Sequence, residues 1–65
     1  MTDSALTAMQ IDMIDEALKN GYLIQQVKIS SQLGGGVVAE HAISGRQMRL
    51  DVTNETAAYC KEKMA

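Results

Sequence analysis

At Asn20-Gly21 the apolar period of this chain changes from about 3.6 residues to about two. From Ser4 to Asn20 no Pro or Gly interrupts a run of good helix formers: Ala5, Leu6, Ala8, Met9, Met13, Ala17, Leu18 and Lys19. Asp3 or Ser4 can cap that helix, and Asn20-Gly21 supplies the left-handed residue that stops it. Beyond Gly21, three alternating runs follow: Leu23 to Leu33, Val37 to Ile43 and Arg46 to Val52, separated by Gly34-Gly35-Gly36 and Ser44-Gly45. In the first run Leu23, Val27, Ile29 and Leu33 share one face, and Gln26, Lys28, Ser30 and Gln32 the other. In the last, Met48, Leu50 and Val52 point inward against Gln47, Arg49 and Asp51. The middle run is compatible with a strand or with a short helix. Thr53-Asn54 then caps a second helix, Glu55 to about Met64, whose inward stripe is Val52, Thr56, Tyr59, Cys60 and Met64. This order predicts an α+β fold: helix, three-stranded antiparallel meander, helix, with both helices on one face of the sheet.

Length limits the rest. In 65 residues there is room for one small domain, 1–65, and a chain of about 60 residues buries only about 60% of the surface it exposes when unfolded. An apolar fraction of 46% and a net charge of −2 argue against disorder. A lone Cys60 excludes an internal disulfide, and with His41 as the only other soft ligand a four-ligand zinc site is excluded too. There is no Trp or Phe, so the core must come from smaller side chains, and oligomerisation is the expected supplement. No apolar run approaches the roughly 18 residues of a membrane span, and a cytoplasmic location with no membrane partner is expected.

The first helix carries the functional expectation. At 100° per residue, Leu6, Met9, Ile11, Met13, Ile14, Ala17 and Leu18 cover an arc of roughly 200°, where covering one sheet face needs a stripe of about 100°. The surplus points to a second contact, with Leu6, Met9, Met13, Ile11 and Ala17 as protein-binding residues. Methionines suit such a surface because they repack against varied partners. Asp12, Asp15 and Glu16 fill the remaining arc as a solvated face.

Other constellations carry less. Consecutive glycines at 34–36 can turn N–H groups toward an anion, yet no Lys-Ser/Thr follows as a phosphate loop requires, so they read first as a hairpin connection. His41 shares its face with Val37, Ala39 and Ile43 and reads as a hydrogen-bonded, partly buried histidine, with no nucleophile spaced to use it. Cys60 reads as an apolar filler. Lys28, Arg46 and Arg49, with Gln26, Gln32 and Gln47, could form a basic open sheet face for nucleic acid. Stacking aromatics are lacking there, Glu40 and Asp51 intervene, and 6 basic against 8 acidic residues disfavour phosphate binding. Gly45-Arg46-Gln47-Met48-Arg49-Leu50 with the capped helix after it is locally similar to the hairpin-and-helix end of lambda-type head-to-tail joining proteins of tailed phages. The longer middle section departs from that family's single hairpin, and no function or residue is carried over.

The expectation is a non-enzymatic protein-binding module without a cofactor: an adaptor, inhibitor or assembly component, of the kind phage or bacterial accessory genes encode. It would act as a homodimer or higher oligomer through the first helix or by pairing of sheet edges. Two alternatives stand beside it. One is a dimeric nucleic-acid-binding regulator using the basic sheet face. The other is a binder of a small anion or nucleotide, held by the glycine loop around Gly35 with Arg46 or Arg49.

Overall fold

The computed structural model describes residues 3–30 and 34–64. Helix α1 (Asp3–Lys19) is followed by strands β1 (Tyr22–Lys28), β2 (Gly35–His41) and β3 (Gln47–Val52), then helix α2 (Asn54–Lys63). Gly21 stops α1 with φ of 96°, in the left-handed region that only glycine enters without strain. The strands form one antiparallel sheet in the order β1-β2-β3, the predicted meander. The middle run is a strand. Its alternation, with Val37 and Ala39 buried between half-buried neighbours, supplies the two-residue period that a helix would lack.

β2 and β3 pair without interruption, Gly35 opposite Val52 through Glu40 opposite Gln47. β1 does not keep register with β2: Ile24 faces Ala39 and Gln26 faces Val38, leaving Gln25 as a bulge. That extra residue reverses the alternation. Val27 points inward as expected, but Ile24 takes the inner position before the bulge and Leu23 turns outward, 55% exposed. Ile29 is also exposed, just beyond the end of β1. β2 ends at His41, so Ile43 lies in the following turn and faces solvent instead of sharing an inner face with Val37. The expectations for Gln32 and Leu33 lie outside the described residues.

Both helices cover the face that bears Val37 and Val52. The core is Ile14, Val37, Val52, Ala57 and Cys60, with Leu18, Ile24, Val27, Leu50 and Tyr59 packed against it. α2 lies over β1 and β2 and sits close, because Gly35 and Ala57 present almost nothing between the backbones. α1 lies beside α2. Its Thr7 and Gln10 bond to Thr53, the residue that directly follows β3, and its Ile14 joins Val37 and Val52 in the core. α1 also contacts β1, and it reaches the end of β3 through Thr53. In α2 the inner stripe includes Ala57, and Met64 is exposed, contrary to the predicted stripe.

Two polar devices fix this arrangement. Thr53 is the α2 N-cap, its Oγ1 accepting from Thr56 N. Asn54, expected to share that cap, instead turns its side chain to the end of β1, accepting from Ser30 N and donating to Ser30 O as a neighbouring strand would. Among the described residues no helix is long and apolar enough to cross a membrane.

Candidate functional site

Which side of α1 turns inward decides what remains outside. Thr7, Gln10, Ile14 and Leu18 fall at i, i+3, i+7 and i+11, the spacing of a stripe on one helix face. Gln10 Oε1 accepts from Thr53 N at 3.0 Å and from Thr56 Oγ1 at 2.9 Å. Thr53 Oγ1 bonds Thr7 Oγ1 at 2.6 Å and Thr56 Oγ1 at 3.0 Å. A polar cluster therefore occupies part of the helix–helix seam, with Thr56 buried in its middle. It rotates α1 away from its most apolar face.

The displaced residues are the site. Met9 is 55% exposed, Met13 52% and Leu6 36%, on the flank of α1 away from α2. Ala17, one turn beyond Met13, is half-buried. Ile11 does not belong with them. It lies roughly 160° around the helix from Met9, on the α2 side, in a shallow depression of about 330 Å³ with Ser4, Thr7, Ala8 and Glu55. The five expected binding residues thus divide between two flanks, and three of them, Leu6, Met9 and Met13, form an exposed apolar strip.

The sheet has an open edge as well. Among the described residues β3 has a partner only on the β2 side. Met48 and Leu50, on the helix-bearing face of β3, are half-buried.

The opposite, open face of the sheet carries the charges. Lys28 and Asp51 stand on either side of Gly36, and Arg49, opposite Val38, lines the same shallow groove of about 310 Å³ with Gln26. Two of the expected anion contacts are therefore together. The other two are elsewhere: Arg46 precedes β3 in the turn, and Gly35 faces α2 through the sheet. Gly35 and Gly36 are ladder residues, not an anion-cradling loop; of the triplet, only Gly34 has positive φ. Asp51 shares the groove with the two cations, and Glu40 on the same face accepts a hydrogen bond from Gln47 Nε2.

The remaining chemistry-bearing residues are tied into the fold. His41 Nε2 donates to Asn20 O at 2.9 Å, and Nδ1 accepts from Ile43 N and Ser44 N. Its ring stands edge-on to Tyr22, so it joins the end of α1 to the β2–β3 turn. Tyr59 donates to Asp15 Oδ1 at 2.5 Å, which holds its hydroxyl proton and raises its pKa above the usual tyrosine value. Burial raises the Cys60 thiol in the same sense. Sequence reasoning missed the Thr7–Gln10–Thr53–Thr56 cluster. Its one signal was polar residues spaced i, i+3 on the turns leading to Ile14, which invites reading them as surface. No known family, curated protein or solved structure matches this chain.

Proposed function

We propose that this chain is a non-enzymatic protein-binding module that works as a self-associated oligomer, in the role of an adaptor, inhibitor or assembly component. One observation carries the reading: Leu6, Met9 and Met13 stand exposed in a row on α1. Contiguous apolar surface of this kind is characteristic of interfaces, whereas scattered single residues are not. The energetic setting agrees. Among the described residues a core of six buried apolar side chains, without Phe or Trp, leaves a small domain short of stabilising area, and association supplies more.

The test is sedimentation equilibrium over a wide concentration range, on the wild type and on Met9→Ser/Met13→Ser. The wild type should associate. The double variant should sediment as a folded monomer, because both side chains already face solvent and their loss opens no cavity. A wild type that stays monomeric at the highest concentration overturns self-association. An unchanged mass for the variant would move the contact off this flank.

A further inference from the structure

Resting on the self-association just proposed, we infer that the partner is a second copy of this chain, joined antiparallel through β3 in one register that sets Arg49 opposite the partner's Asp51. The backbone gives the first half of the argument. His41 N donates to Arg46 O, which makes that pair, and every second pair after it, hydrogen-bonded across β2 and β3. Met48, Leu50 and Val52 therefore spend their N–H and C=O groups on β2. Those of Gln47, Arg49 and Asp51 point outward from the sheet edge. A second strand can bond only to these outward residues.

Edge protection gives the second half. β1, the other edge, is broken by its bulge at Gln25. β3 is regular over six residues and has no bulge or Pro, the devices that discourage edge pairing. It does carry charge, but of both signs: Arg49 and Asp51 lie on the same open face and neither makes an ion pair among the described residues. A twofold axis through Leu50 sets Arg49 against the partner's Asp51 and Asp51 against the partner's Arg49. Both pairs fall at outward, hydrogen-bonding positions. On the other face, Leu50 meets the partner's Leu50, and Met48 meets the partner's Val52. The neighbouring register, with the axis through Arg49, sets like charges opposite each other and is disfavoured.

The helices fit the same axis. α1 places Ile14 in the core with Val37 of β2 and Val52 of β3, and its Gln10 bonds Thr53 at the end of β3. A twofold axis perpendicular to the sheet keeps both α1 helices on the same side of the joined sheet. Their facing flanks are the exposed Leu6, Met9 and Met13. One operation thus pairs the strand edge, neutralises Arg49 and Asp51 and covers the apolar strip.

The experiment exploits the symmetry of the charge pattern. Arg49→Asp and Asp51→Arg are made separately; both positions are exposed, so neither change disturbs the core. Each variant alone opposes like charges at two places, and its dimer dissociation constant should rise at least about tenfold by sedimentation equilibrium. Mixed together, the two variants should form a heterodimer, and the doubly exchanged Arg49→Asp/Asp51→Arg chain should dimerise by itself. Rescue on mixing excludes misfolding as the cause of the loss. A wild type that dimerises while the single variants retain its dissociation constant overturns the β3 register and leaves self-association standing. A wild type that never dimerises removes both.

Discussion

Replacing Gly35 by alanine should be among the most damaging single-methyl changes possible in this fold. A Cβ at this position would lie 2.5 Å from Lys28 O and 2.8 Å from the Ala57 Cβ. The first neighbour is backbone in the β1–β2 ladder, and the second belongs to the α2 face that packs closest to the sheet. Neither can move aside without opening the strand pairing or lifting the helix. Overpacking of this kind costs about 2–3 kcal/mol. A chain of this size has a total stability of roughly 3–10 kcal/mol, so the loss is a large fraction. At about 4–8 °C per kcal/mol, thermal unfolding at fixed protein concentration should show Tm lowered by roughly 10–20 °C. The control is its neighbour. Gly36 has negative φ, and a Cβ there would meet only Leu50 O at 3.8 Å. Gly36→Ala should be neutral, or stabilise by about 0.4–1 kcal/mol through a less flexible unfolded chain. A phosphate-cradling triplet would make the two glycines equally sensitive in ligand binding and indifferent in stability. Equal Tm values for Gly35→Ala and Gly36→Ala would refute the close-packing argument.

Gln10→Ala should cost about 1–3 kcal/mol in thermal or urea unfolding, because Thr53 N and Thr56 Oγ1 lose their acceptor inside the helix seam; a change under about 0.5 kcal/mol would contradict the role assigned to the cluster. The raised Tyr59 pKa, due first to its bond with Asp15, means that the folded chain holds this proton more tightly than the unfolded one. That contribution is intact below the ordinary tyrosine pKa near 10 and is lost as pH rises through the folded value. Tyr59→Phe should therefore show a shallower alkaline decline in stability than the wild type, and parallel pH curves would exclude the linkage. Cys60, buried and with its thiol pKa raised, should react with a thiol reagent far more slowly in the native state than in denaturant, as followed by absorbance. Equal rates would show that α2 opens readily from the sheet.

Local chemistry made most of the fold legible. Two periods, three turn signals and the Thr53 cap suffice for helix, meander and helix, because each depends on neighbours within a few residues. The burial of Met48, Leu50 and Val52 on one face followed from alternation alone. The clearest failure has one local cause. One bulged residue, Gln25, reverses the facing of everything before it in β1, and no residue type at that position announces it. Leu23 was misplaced for that reason.

The candidate site was legible only in part. Composition and helical spacing determined that α1 carries more apolar surface than one sheet face can cover, and that holds however the helix is turned. Which portion stays outside depended on the rotation of α1. That was set by Gln10 and Thr7 finding Thr53 and Thr56 more than forty residues away. The division of Ile11 from Met9 and Met13 has the same origin. Likewise the signs and order of Arg49 and Asp51 are plain in the sequence, but only the ladder shows that their backbone groups point outward. Hydrogen-bond direction is a property of paired strands, and a single strand does not possess it.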